Sequence, residues 1–155
     1  DIQDRDKERH HRSAVWYVWG PRKALVAGNA MRSLADMATL RLANNGLACD
    51  KTLKASSLLS ESCLQIIEGQ CLDISFESRL NITTAEYLDM IGRKTGGLIR
   101  CAMDLGAVLA VDDETTIQAF RRCGSLLGQA FQIRDDILGI WGSPKITLIP
   151  TSLSF

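Results

Sequence analysis

The sequence predicts an all-α protein, and three observations lead to that prediction. Only three of the 155 residues are proline, Pro21, Pro144 and Pro150, so residues 22–143 contain no helix breaker of that kind. Within this stretch, apolar residues recur every three or four positions, which is the spacing of one helix face. The composition is 46% hydrophobic and 23% charged, as in ordinary globular domains.

The first segments carry two boundary signals. Residues 1–12 are polar and compatible with a helix, and the aromatic residues 13–20 are predicted as a loop or a short extended piece. Pro21 suits a first helical position, because its fixed φ is already helical and its missing N–H has no partner to lose there. The helix that it opens is predicted to end at residues 44–46, where Asn-Asn-Gly is a typical stop signal.

Three further helices are predicted after that stop. The first covers about residues 52–80. The second begins at a capping box, with Thr83 as N-cap and Glu86 three residues later, and is predicted to continue to Val111. The third begins at residues 112–113 and reaches about Ile140.

Charge, hydropathy and cysteine usage argue against several classes of partner. Eighteen basic residues balance eighteen acidic ones, so nothing electrostatic indicates a nucleic-acid partner. The longest apolar run, residues 105–111, is far shorter than the roughly 20 residues that cross a bilayer, so no membrane span is expected. The five cysteines form no Cys-x-x-Cys pair and are interpreted as reduced thiols, which favours a cytoplasmic protein.

A lysine interrupts the apolar stripe of the helix that starts at Thr83. Ile91, Lys94 and Leu98 are spaced by three and four residues, so the lysine lies on the same helix face as the two apolar residues. Lys94 either runs along the helix flank to reach solvent or points into a cavity that must supply an anion, because an unpaired buried charge is costly.

The last predicted helix carries two neighbouring faces. Its predicted inward face consists of Ile117, Phe120, Leu127, Phe131 and Leu138. The adjacent strip begins with small residues and ends with polar ones, namely Gly124, Gly128, Gln132, Asp135, Asp136 and Gly139. Glycines allow a helix or ligand to approach closely, and two carboxylates near a helix C-terminus oppose the helix dipole, which argues against a purely solvated pair.

Further polar groups complete a plausible diphosphate site. Asp1 and Asp4 are one helical turn apart, and basic side chains follow them at residues 9–12. Each group alone is unspecific. Together with Lys94 they describe a Mg²⁺-diphosphate site in a helical bundle, because Mg²⁺ takes one or two protein carboxylates and fills its remaining positions with water and phosphate oxygens.

These motifs resemble those of the trans-isoprenyl diphosphate synthases, the polyprenyl synthetase family that includes farnesyl and geranylgeranyl diphosphate synthases. The matching segments, in chain order, are Asp1-Ile-Gln-Asp4, Arg9 to Val15, Gly69-Gln70-x-x-Asp73, Tyr87-x-x-Met90-Ile91-x-x-Lys94-Thr95 and Gly128 to Leu138. The resemblance implies an antiparallel helical bundle of the isoprenoid synthase type. It covers residues 1–142 as a partial domain incomplete at both ends and leaves residues 143–155 as an unassigned tail.

The resemblance also implies a reaction and a set of site residues. The reaction condenses an allylic diphosphate with isopentenyl diphosphate, releasing pyrophosphate, and a homodimer is expected. Mg²⁺ is expected on Asp1, Asp4, Asp135 and Asp136. The substrate-binding side chains are expected to be Arg9, His10, Arg12, Lys94 and Gln132, and the chemistry is expected to involve Lys94, Thr95 and Gln132.

Four departures from the family pattern leave alternatives open. His10 stands in place of an arginine, Asn29 and Gly139 in place of aspartates, and no Gly-Lys follows Gly142. One alternative is a non-catalytic or truncated prenyltransferase-like subunit that acts through helix association. A second is a class I terpene cyclase, against which Lys94-Thr95 and the Gln132-x-x-Asp-Asp pattern argue.

Overall fold

A computed structural model describes residues 2–3, 5–9 and 12–142, with the backbone alone described at Arg9. The predicted site residues Asp1, Asp4 and His10 therefore lie outside the described residues, as does the predicted tail. The chain divides into two compact units, one ending at Thr52 and the other beginning at Leu53.

The described residues are predominantly helical, which confirms the predicted class. The elements are β1 (Glu8–Arg9), β2 (Arg12–Ser13), α1 (Val15–Trp19), α2 (Pro21–Asn44), α3 (Cys49–Phe76), α4 (Thr84–Lys94), α5 (Gly96–Ala110) and α6 (Glu114–Trp141). Among the described residues, no helix combines the length and the hydrophobicity of a membrane-spanning segment.

The prediction of a helix over residues 1–12 is wrong. Strands β1 and β2 pair antiparallel, and the Trp16 indole Nε1 donates to the Asp6 carbonyl oxygen at 2.7 Å. A polar segment of this length forms a marginal helix without an apolar face to pack, so these contacts decide its conformation. The aromatic segment also differs from its prediction, because Val15–Trp19 forms α1.

Local sequence signals correctly predicted most of the boundaries of the longer helices. Pro21 occupies the first turn of α2, which ends at Asn44 as predicted. The capping box of Thr83 and Glu86 begins α4. The side chain of Asp113 caps α6 by accepting from the Thr116 N–H at 2.9 Å.

The single helix predicted from Thr83 to Val111 is two helices, α4 and α5, separated at Thr95. Gly96 and Gly97 follow the break and are both buried. Two consecutive glycines have low helix propensity. They also permit close packing, because a Cβ placed on Gly97 would lie 3.3 Å from the Ile66 side chain.

The glycine strip of α6 lies directly against α5, as the close approach expected of its glycines implies, and Ile117 of the predicted apolar face also packs with Ala107 and Val108 of α5. A Cβ at Gly124 would lie 2.7 Å from the Arg100 Cα, and one at Gly128 would lie 2.5 Å from the Gly96 Cα. The prediction that three large side chains of α6 point inward is wrong, since their exposed fractions are 46%, 53% and 47% for Phe120, Leu127 and Phe131. Backbone contact through the glycines turns these neighbours outward.

Candidate functional site

A salt bridge joins α3 to the C-terminus of α4. The Lys94 Nζ lies 2.5 Å from the Asp73 Oδ2. Gly69 permits this approach, because it lies one helical turn before Asp73 and a Cβ there would lie 2.8 Å from the Lys94 Cα. The inward lysine therefore has an anionic partner within the chain.

Thr95, the next residue, begins a chain of hydrogen bonds to α6. Its Oγ1 donates to the Gln132 Oε1 at 2.5 Å, and the Gln132 Nε2 donates to the Asp136 Oδ1 at 2.8 Å. Thr95 is the N-cap residue of α5, yet its side chain makes no capping hydrogen bond. The hydroxyl is directed to Gln132 instead of the helix end.

Tyr87 completes this chain from α4. Its hydroxyl donates to the Asp136 Oδ2 at 2.5 Å. Burial, followed by the hydrogen bond to Asp136, raises the pKa of the Tyr87 phenol above its usual value, so the phenol remains a donor at physiological pH. Four side chains from α4, the α4–α5 break and α6 thus form one continuous relay, which we define as Tyr87, Asp136, Gln132 and Thr95.

The two neighbouring aspartates of α6 differ in their surroundings. Asp136 accepts one hydrogen bond on each carboxylate oxygen. Asp135 is half-buried, and the described part of the chain shows no hydrogen bond or ion pair to it. Asp135 is therefore the carboxylate whose oxygens are available to a ligand.

The donor chemistry of this aspartate pair suits Mg²⁺. Among the described residues, no three His, Cys, Asp or Glu side chains lie close enough together to hold a metal ion. Mg²⁺ does not need such a cluster, because one or two carboxylates suffice when phosphate and water oxygens supply the rest. Asp135 and Asp136 therefore fit a cation that arrives with a phosphorylated ligand.

The predicted site residues fall into three groups. In the second unit, hydrogen bonds join Thr95, Gln132 and Asp136. Lys94 pairs with Asp73 in the same unit, and Asp135 lies beside Asp136 on α6. Arg9 and Arg12 lie in β1 and β2 of the first unit, and the Arg12 side chain is exposed. Asp1, Asp4 and His10 are outside the described residues.

Two residues of the site were not predicted, Tyr87 and Asp73. Both belong to the family motifs, but neither is among the site residues that the sequence predicts. The signal for Tyr87 was its hydroxyl, because a tyrosine on a buried face needs a hydrogen-bond partner. The signal for Asp73 was Gly69 one turn earlier, which marks a close approach of another helix.

A separate polar cavity of about 300 Å³ lies between α3, α4, α5 and α6. Its two guanidinium groups have partners: Arg93 binds Asp89 and Glu68, and Arg100 binds Gln65. These contacts tie α4 and α5 to α3.

Comparisons with known proteins show what this chain is similar to. A family model described as Polyprenyl synthetase matches residues 1–148. The (2E,6E)-farnesyl diphosphate synthase of Mycobacterium tuberculosis is 40% identical over 149 residues, a match that covers 95% of this chain and 40% of that protein. The geranylfarnesyl diphosphate synthase of Aeropyrum pernix is 37% identical over 147 residues, covering 95% and 46%.

Solved structures show the same relationship. A polyprenyl synthetase from Streptomyces coelicolor A3(2) superposes with a TM-score of 0.83 at 41% identity, covering 97% of this chain and 43% of that one. A geranylgeranyl pyrophosphate synthetase from Pyrococcus horikoshii gives a TM-score of 0.88 at 31% identity, covering 97% and 45%. The chain spans less than half the length of these relatives. The family model, which matches nearly the whole chain, shows together with these relatives that the chain belongs to the polyprenyl synthetase family.

Proposed function

We propose that the intact protein carrying this sequence condenses an allylic diphosphate with isopentenyl diphosphate. The observation that carries the proposal is the arrangement of two consecutive residues at the α4–α5 break. Lys94 presents an ammonium beside α3, and Thr95 presents a hydroxyl held by α6. A cation for a departing diphosphate and an oxygen dipole for a developing carbocation are what this reaction requires.

The reaction balances as a substitution followed by loss of a proton. The allylic C–O bond breaks and its electron pair leaves with the diphosphate, whose charge Lys94 and Arg9 neutralise. The double bond of isopentenyl diphosphate forms the new C–C bond to the allylic carbon. The resulting cation loses a proton, for which the released pyrophosphate is the base, and the apolar helix faces keep water from the cation.

Mg²⁺ is the proposed cofactor, held by Asp135 and Asp136 together with Asp1 and Asp4. When bound, it supplies positive charge that stabilises the leaving diphosphate. The carboxylates of this chain orient that charge. Asp135 has no hydrogen bond or ion pair among the described residues, which supports its part in the set. Arg9, His10, Arg12 and Gln132 are proposed to bind the substrates.

A homodimer in the cytoplasm is the proposed state of the intact protein. The helix α2 buries none of its residues, and its exposed apolar side chains include Leu25, Met31, Leu34 and Leu40. An apolar surface of that kind favours burial against a partner. All five cysteines are free, which is typical of a reducing compartment.

Incubation of the intact protein with Mg²⁺, radiolabelled isopentenyl diphosphate and one allylic diphosphate at a time tests the function. Longer labelled polyprenyl diphosphates are expected. Cyclic hydrocarbons formed without isopentenyl diphosphate would indicate a terpene cyclase instead. An absence of any product from a folded, intact protein would indicate the non-catalytic subunit.

A further inference from the structure

Tyr87 stands at the far end of the relay from Thr95, and it is not among the residues proposed to touch substrate. We propose that Tyr87 is a positioning residue that fixes the direction of the Thr95 hydroxyl through Asp136 and Gln132. The inference rests on the proposed function and adds a residue to it. It follows from which atoms in the relay can donate and which can only accept.

The direction of each hydrogen bond follows from Asp136. A carboxylate offers acceptor oxygens and no hydrogen, so both groups that face it must donate. Tyr87 donates its O–H to Oδ2, and Gln132 therefore turns its Nε2 toward Oδ1. The opposite end of the same amide, Oε1, then faces Thr95 and can only accept.

Thr95 must consequently donate its single hydroxyl hydrogen to Gln132. The remaining lone pairs of Oγ1 then point away from Gln132, with no proton on that side of the oxygen. A hydroxyl in this state stabilises an electron-poor carbon, whereas one rotated by a hydrogen bond elsewhere presents its positive end. The effect is greatest where positive charge develops, so it acts on the transition state more than on substrate binding.

Tyr87 is the group that closes the relay. Without its hydroxyl, Asp136 Oδ2 has no donor in the described structure, so the carboxylate can turn and release Gln132. The Gln132 amide can then flip, because its two ends are nearly equal in shape. Tyr87 precedes Lys94 by seven residues, two helical turns, so one face of α4 carries both the positioning residue and the cation.

A double-mutant cycle on the unfolding of the intact protein tests the relay without using its activity. The variants are Tyr87→Phe, Thr95→Val and the double variant, whose altered hydroxyls hydrogen-bond to different partners. The combined effect on the unfolding equilibrium constant should differ from the product of the single effects by about threefold or more. If all variants fold and the effect of the double variant equals the product of the two single effects to within about twofold, the proposal is overturned.

The matched control is Tyr17→Phe, which removes the same hydroxyl from an exposed tyrosine in α1. In a cycle with Thr95→Val, the combined effect of the two changes on the unfolding equilibrium constant should equal the product of their single effects. In turnover assays, Tyr87→Phe should lower kcat by about tenfold while the KM of each diphosphate stays within about twofold, and Tyr17→Phe should change neither. An unchanged kcat for Tyr87→Phe would contradict the positioning role.

The two proposals fail in different ways. If the wild type forms no product but the Tyr87–Thr95 coupling is present, the proposed function fails and the orientation of Thr95 by Tyr87 stands. If product forms at the wild-type rate in Tyr87→Phe and the coupling is absent, the relay fails and the proposed function stands.

Discussion

The Lys94 ammonium and the Asp73 carboxylate, 21 residues apart in the chain, form a salt bridge of 2.5 Å. Their side chains are only 25% and 30% exposed. The lysine that breaks the apolar stripe of its helix therefore meets its anion inside the chain. A diphosphate that binds here has to share or displace that partner, so ligand binding and the α3–α4 contact are linked.

Lys94→Met should lower the free energy of unfolding by about 1 kcal/mol, because Asp73 is left partly buried without its cation. The same change should abolish stabilisation by Mg²⁺ and pyrophosphate, since a ligand stabilises only through its affinity for the folded state. Denaturant unfolding of the intact protein and thermal-shift titrations measure the two effects.

The control for Lys94→Met is Lys54→Met. Lys54 also pairs with an acid on another helix, but at 3.7 Å from Glu114 and with exposed fractions of 47% and 63%. This variant should change the unfolding free energy by less than about 0.5 kcal/mol and keep the pyrophosphate response. A full pyrophosphate response in Lys94→Met would refute its role as the diphosphate cation.

Gly128→Ala should destabilise the protein by about 1–3 kcal/mol, because the added Cβ meets the Gly96 backbone and has no space to move into. Gly139→Ala on the same helix is the matched control, since nothing lies within 4 Å of its Cβ position. It should be neutral or stabilise by up to about 1 kcal/mol. Equal effects of the two changes on urea unfolding would contradict the α5–α6 packing.

The stability of the protein should depend on pH through the Glu86 carboxyl group. The Thr83 backbone N–H first, then Arg79 and the Thr83 hydroxyl, hold the pKa of the Glu86 carboxyl at about 2, against an ordinary 4.5. Because the folded pKa is the lower one, the stabilisation is complete above about 4.5 and is lost as pH falls through about 2.

Glu86→Gln should therefore flatten the loss of thermal stability between these pH values. Glu77→Gln is the control, because Glu77 is exposed and the described residues show no hydrogen bond or ion pair to it. Melting temperatures of the three proteins across the acid range measure the difference. Parallel curves for wild type and Glu86→Gln would show that the capping box does not titrate as its contacts imply.

Asp135→Asn should reduce prenyl transfer by about 100-fold and raise the Mg²⁺ concentration needed for half-maximal rate, because the site loses a carboxylate that no other described residue occupies. Helix content by circular dichroism should not change. Asp89→Asn, at the paired carboxylate beside Arg93, should leave the Mg²⁺ requirement as it is. Near-normal turnover of Asp135→Asn in limiting Mg²⁺ would rule out this residue as a ligand.

Several helix boundaries could be predicted from local sequence signals. These signals are Pro21, the capping box at Thr83 and the aspartate cap at Asp113. Each acts through contacts within about one helical turn, so its effect can be predicted without knowing the rest of the structure. The order of the family motifs likewise identified Lys94, Thr95 and Gln132 as one group.

The face that each helix turns toward its neighbours could not be predicted in this way, because it depends on how the helices pack. Periodicity placed Phe131 and Gly128 on adjacent faces of α6, but the close approach of Gly96 selected the glycine face for α5. Hydrogen bonds between distant residues, such as Tyr87 to Asp136 across 49 positions, depend on that choice. A local sequence pattern indicates that a buried polar side chain needs a hydrogen-bond partner. Which residue becomes that partner depends on how closely the backbones of the packed helices approach each other.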